Sequence, residues 1–139
     1  MAFAFVFPGQ GSQSVGMMAA YGDSPILRAT FDEASESLGQ DLWQLVAEGP
    51  AELLAQTVNT QPLMLTAAIA AYRLWLDKGG RQPAIVAGHS LGEYSALVAA
   101  GVLAFKDAVP LVRLRATAMQ EAVPVGAGAM AAILNLEDQ

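Results

Sequence analysis

Five residues in the middle of the chain, Gly88-His89-Ser90-Leu91-Gly92, constrain its fold more than any others. They fit the pattern G-x-S-x-G and stand between an apolar run, Ala84 to His89, and a small-residue-rich segment that begins at Leu91. Five residues of this kind arise by chance in many proteins, so the motif takes its weight from a strand before it and a helix after it. In that setting the backbone turns so tightly that glycines are needed two residues either side of the serine. The hydroxyl then stands clear at the head of a helix dipole. Ser90 is the expected nucleophile, and the Leu91 N–H is one expected oxyanion donor.

The rest of the chain supplies the elements such a turn needs. Phe3 to Phe7 is short, aromatic and apolar on both faces, which predicts a buried parallel strand. The glycines of Pro8-Gly9-Gln10-Gly11-Ser12 then break it. Ser24-Pro25 starts a helix that runs to Gly39, and Asp41 caps a short helix ending near Gly49. Pro50 starts another short helix. Thr60-Gln61-Pro62 opens a helix to about Lys78, apolar nearly all round and therefore expected at the centre of the molecule. After Gly79-Gly80 come the strand Ala84 to His89, the helix from Leu91 and a helix from about Phe105 to Glu121. Pro110 there is tolerable only near the first turn or as a kink. A linker, Pro124 to Gly128, leads to a third strand at Met130 to Leu136. This order predicts an α/β fold with a parallel sheet, flanking helices and right-handed crossovers. A lone strand after a linker resembles the start of a second subdomain.

Composition excludes several classes of function. With 54% hydrophobic and 14% charged residues in 139, the chain is no disordered tail. Its mean hydropathy of +0.39 points to more apolar surface than one small domain hides, a hint that it is part of a larger enzyme. A formal charge of −6 argues against nucleic acid or an anionic membrane as partner. There is no cysteine and one histidine, so neither a disulfide nor a metal site is expected. Phe3 to Phe7 lacks a basic flank, so no secretory signal is expected. The longest apolar stretch, Pro62 to Tyr72, is far short of the roughly 20 residues of a membrane-spanning helix. A cytoplasmic location is expected.

His89 is the tempting general base for Ser90, but neighbouring side chains on a strand point to opposite faces. It is expected instead to be a packed, hydrogen-bonded structural residue, and no other histidine can complete a Ser-His pair here. Arg115 lies on an apolar stripe with Leu111, Val112, Ala118 and Met119. It needs an anionic partner or must reach water. A guanidinium fork suits a carboxylate, yet Arg113 competes, and the pattern alone leaves open that both merely reach solvent. Gln10 lies in the loop after the first strand, on the side where parallel-sheet loops line a ligand crevice. Its backbone is the second candidate oxyanion donor; an ordinary turn or a phosphate loop is the alternative, though no G-x-x-x-x-G-K-[ST] is present.

Phe5-Val6-Phe7-Pro8-Gly9-Gln10-Gly11-Ser12-Gln13, Thr60-Gln61-Pro62, Gly88-His89-Ser90-Leu91-Gly92-Glu93, and Arg115-Ala116 with Met119-Gln120 together resemble the malonyl-CoA:acyl-carrier-protein transacylase family. The resemblance runs along the whole chain in the family's order. It implies an α/β-hydrolase-like large subdomain over residues 1–125 and the start of a small ferredoxin-like subdomain over 126–139. By it, Ser90 accepts malonyl from malonyl-CoA and passes it to the phosphopantetheine thiol of acyl carrier protein, in fatty acid biosynthesis. Gln10 and Leu91 form the oxyanion hole, Arg115 pairs with the free carboxylate, and Gln61 sits near the same pocket. No cofactor is implied, since the coenzyme A thioester is a substrate. Family chains are longer, and their base histidine lies in a part not matched here. The resemblance therefore also implies a missing C-terminal half as possible partner. That the chain starts at Met1 directly on its first strand favours malonyl, as in stand-alone enzymes. A serine hydrolase shares the elbow but has no general need of a carboxylate clamp. A catalytically incomplete fragment that associates through exposed apolar sheet is the reading from another class.

Overall fold

The computed structural model describes residues 1–124 and 126–128. The strand expected at Met130 to Leu136, and nearly all of the expected second subdomain over 126–139, lie outside the described residues. Among the described residues the chain is a mixed α/β structure: a small parallel sheet with six α-helices.

Local sequence fixes the helix ends. Strand β1 (Ala4–Phe7) leads through a 3-10 turn, Ala19–Tyr21, to helix α1 (Pro25–Leu38). The Ser24 hydroxyl accepts the N–H of Leu27 at its head, and Gly39, at φ 63°, closes its end. Helix α2 (Leu42–Glu48) is capped by the Asp41 carboxylate, which accepts the Gln44 N–H at 2.8 Å. Helix α3 (Ala51–Ala55) is short and leads directly into α4 (Thr57–Asp77).

Helix α4 begins at Thr57, not at Thr60, and carries Pro62 inside it. Side chains hold the turn ahead of the proline. Asn59 donates to the Leu53 carbonyl at 3.0 Å, and the Thr60 hydroxyl meets the carbonyls of Leu54 and Gln56. Pro62 therefore removes a single N–H in a turn fixed by other bonds. As its composition predicts, α4 is central: Leu63, Leu65, Thr66 and Ala70 are wholly buried. It packs against α1, α5 (Leu91–Ala99) and α6 (Phe105–Glu121). Phe31 of α1 and Val109 and Val112 of α6 complete this core. Each such side chain contributes about 1.5–3 kcal/mol through burial. Pro110 of α6 stands little more than a turn into its helix.

Strand β2 (Ile85–Gly88) pairs with β1 in parallel, Ala4 opposite Ile85 and Phe7 opposite Gly88. The carboxyl ends of both strands thus share one edge, which sets the loop after Phe7 beside the turn after Gly88. One sheet face, with Phe5, Phe7 and Val86, packs on Tyr72 of α4 and Ala96 of α5. The other face stays open, Val6 at 74% and Ile85 at 65% exposure. The expectation of strands buried on both faces is corrected here. Both strands have apolar residues on each side, but among the described residues helices cover only one.

Candidate active site

The turn from β2 into α5 is built from backbone contact. A β-carbon added to Gly88 would stand 2.0 Å from the Gly92 carbonyl oxygen, and one on Gly92 would stand 2.2 Å from that of Phe7. Real β-carbons do not approach backbone so closely, so both glycines are required by packing. Between them Ser90 adopts φ 54° and ψ −112°. Among the described residues it alone of the non-glycines has positive φ. A strained backbone of this kind costs roughly 1–3 kcal/mol and persists where its surroundings enforce it. Here the enforcement is the bonding of the first turn: Gly92 N–H to the His89 carbonyl at 2.9 Å and Glu93 N–H to that of Ser90 at 3.2 Å. Ser90 is left exposed at the head of α5.

The N–H groups of Leu91 and Gln10 donate to no described residue, and both are available to an incoming oxygen. The Gln10 loop leans on the elbow: a β-carbon on Gly9 would meet the His89 carbonyl oxygen at 3.0 Å. A cleft of about 520 Å³ opens beside this loop, lined by Gln10, Thr57, Met119 and Gln120. Neither this cleft nor a larger apolar groove of about 620 Å³ between β1 and α4 includes Ser90 or Arg115 in its lining.

Arg115 reaches this site from α6. Its Nη2 donates to the Ser90 hydroxyl oxygen at 3.0 Å and its Nη1 to Gln61 Oε1 at 2.5 Å. The guanidinium also lies 5.6 Å from the centre of the Tyr94 ring. It has no carboxylate partner among the described residues, where the ion pairs are Arg28–Asp32 and Arg73–Glu33. Arg113, the competing arginine, points elsewhere: it donates to Gln40 Oε1, and its Nε has no partner among the described residues. Burial pushes the Arg113 pKa down from its ordinary value. Two residues apart on a helix, the two arginines face different neighbours.

Gln61, only 1% exposed, is joined to the site on both ends of its amide. Its Nε2 donates to the Thr57 hydroxyl at 2.9 Å and toward Met119 sulfur at 3.3 Å. Thr57 in turn donates to Gln10 Oε1 at 2.8 Å. Ser90, Arg115, Gln61, Thr57 and Gln10 thereby form one connected chain of hydrogen bonds. The sequence reading missed Thr57 because it began the helix at Thr60. Extended by one turn, the Thr57–Gln61 spacing of four residues would have signalled the pair.

His89 departs from its expected role. It is exposed, and its side chain makes no hydrogen bond to a described residue. By strand alternation it follows Ile85 and Ala87, onto the face that no described helix covers. No group of three or more metal-ligating side chains occurs among the described residues.

Residues 4–139 match the family model described as acyl transferase domain. The chain belongs to that family. It is 63% identical over 137 residues to the malonyl CoA-acyl carrier protein transacylase of Escherichia coli K12, covering 98% of this chain and 44% of that protein. Among solved structures it resembles the acyl-carrier-protein S-malonyltransferase of Burkholderia pseudomallei 1710b, with TM-score 0.88 and 68% identity over 91% of this chain and 41% of the other. It also resembles a malonyl-transacylase solved in complex with a type II PKS acyl-carrier protein, with TM-score 0.86 and 57% identity over 89% and 40% of the two chains. This acyl transferase chain thus spans less than half the length of the relatives it matches.

Proposed function

We propose that this chain carries the acyl-accepting part of a malonyl-CoA:acyl-carrier-protein transacylase. The observation that carries the reading is Arg115, a half-buried guanidinium that touches the Ser90 hydroxyl and lacks a carboxylate partner among the described residues. A charge in that position suits a ligand that brings its own carboxylate, and malonyl is an acyl group that does. In this reading Ser90 Oγ attacks the malonyl thioester carbon, the coenzyme A thiol departs with the serine proton, and a malonyl ester remains. The phosphopantetheine thiol of acyl carrier protein then attacks that ester and frees Ser90. Leu91 and Gln10 N–H groups hold the oxyanion of both tetrahedral intermediates, and Gln61 holds Arg115. The coenzyme A thioester is a substrate, and the scheme calls for no cofactor.

We infer that the general base comes from the part of the family's length outside these 139 residues. The sole histidine, His89, is exposed and makes no side-chain hydrogen bond to Ser90. The parallel strand pair with a serine elbow supports an α/β-hydrolase-like subdomain over 1–125. The ferredoxin-like start over 126–139, and a cytoplasmic location, rest on the family resemblance alone.

The test is intact mass spectrometry of the chain after prolonged mixing with malonyl-CoA in mildly alkaline buffer, beside acetyl-CoA and Ser90→Ala. The expected result is a malonyl-sized adduct that Ser90→Ala abolishes and acetyl-CoA does not match. Equal loading by acetyl-CoA, or an adduct that persists in Ser90→Ala, refutes the reading of Ser90 and Arg115, whereas no adduct from either thioester means that loading itself needs the missing part of the family's length. Steady-state transfer to carrier protein by this chain alone refutes the inference about the base.

A further inference from the structure

We propose that Thr57 is a positioning residue for this site, setting the Gln61 amide that holds Arg115 and tethering the Gln10 loop with one hydroxyl. The inference rests on the acyl-transfer reading and deepens it. Its starting point is that a guanidinium only donates hydrogen bonds. Arg115 Nη1 therefore demands an acceptor, so Gln61 must present Oε1 to it. That leaves Nε2 of Gln61 pointing the other way as a donor, and Thr57 Oγ1 receives it at 2.9 Å. The Thr57 hydroxyl in turn donates to Gln10 Oε1 at 2.8 Å. The Arg115 guanidinium fixes the directions at Gln61, and the Thr57 hydroxyl, which can donate as well as accept, completes the chain by donating to Gln10.

Gln61 is an amide, so rotating it by half a turn would place NH2 against the guanidinium, donor against donor. The Met119 sulfur is a weak acceptor and does little to prevent this. The donor-only guanidinium opposes that turn, and the Thr57 hydroxyl, already donating to Gln10 Oε1, offers Nε2 the stronger of its two acceptors. The other described threonines behave differently. Thr30, Thr66 and Thr117 each donate to the carbonyl four residues back in their own helix, and Thr60 donates to the carbonyls of Leu54 and Gln56 just ahead of α4. Thr57, the first residue of α4, directs its hydroxyl to side chains of the site instead. It also joins the two candidate subsites: the Gln10 loop with its free N–H on one side, and the Arg115 clamp on the other.

Thr57→Val removes the hydroxyl but keeps the branched shape, and Thr57→Ser keeps the hydroxyl. In the ligand-free chain, nitrogen–proton NMR of side chains reads the Gln61 amide and the Arg115 guanidinium directly. Thr57→Val is expected to shift both sets of signals, and Thr57→Ser to restore them. A second variant, Gln10→Ala, removes the final acceptor and is expected to move the Gln61 amide signals without touching Thr57. In binding measurements with malonyl-CoA and acetyl-CoA, Thr57→Val should lower the preference for malonyl-CoA about tenfold, the effect of one hydrogen bond to a charge-holding group. Unmoved Arg115 signals in Thr57→Val, or no recovery in Thr57→Ser, overturn the proposal. A wild-type chain that binds both thioesters alike refutes the acyl-transfer reading instead, while the NMR signals still decide the role of Thr57.

Discussion

Replacing Gly92 by alanine tests whether backbone contact, and not helix propensity, rules the elbow. Gly92 is the second residue of α5, where propensity alone favours alanine by about 1 kcal/mol. The surroundings say the opposite. The added β-carbon would lie 2.2 Å from the Phe7 oxygen and 3.0 Å from both the Phe7 carbon and the Pro8 oxygen. A tolerated carbon–oxygen contact is about 3.3 Å, so strand and helix must part by roughly 1.1 Å. All three neighbours are backbone, and no side-chain rotation can relieve them. Overpacking of this kind costs about 1–3 kcal/mol, and the upper figure applies where nothing flexible can yield. Less the propensity gain, the net loss is about 2 kcal/mol. For a chain of this length that lowers the melting temperature by roughly 8 °C. The displacement also pulls the Gln10 loop from Ser90, so acyl loading should fall as well. Thermal and urea unfolding followed by circular dichroism measure the stability change. A variant that melts at or above the wild-type temperature would show that the strand and helix are not in the contact described, and the account of the elbow would fail.

Two further substitutions separate local from functional roles. Asp41→Ala removes the cap of α2, a 2.8 Å bond to the Gln44 N–H, and should cost about 1 kcal/mol in urea unfolding without altering malonyl loading. Arg115→Gln should reduce the preference for malonyl-CoA over acetyl-CoA by about 10- to 100-fold in competitive binding, as expected for a lost charge-assisted bond. Arg113→Gln should leave that preference unchanged, since Arg113 turns to Gln40; equal effects of the two would contradict the assignment.

The elements and the elbow were legible in the sequence because their causes are local. A serine and a proline at Ser24-Pro25, a capping Asp41 and a terminal Gly39 satisfy or end helices through atoms a few residues away. The glycines of Gly88 and Gly92 announce a close backbone approach whatever the partner. The sequence could not say that the partner of Gly92 is the Phe7 carbonyl, 85 positions away by number, since only the parallel register of Ala4 with Ile85 brings them together. Local patterning placed Arg115 on an apolar stripe but left Arg113, on a neighbouring stripe, as a competitor. The tertiary packing of α4 on α6 separated them, turning Arg115 to Ser90 and Gln61 and Arg113 to Gln40. The same packing corrected two expectations. It left His89 exposed, and it drew the start of α4 back to Thr57 through bonds from Asn59 and Thr60 to preceding carbonyls. Caps, turns and periodicity depend on near neighbours and are written along the chain; the direction of a donor-only side chain depends on which acceptors the fold brings within 3 Å or so, and that is decided in three dimensions.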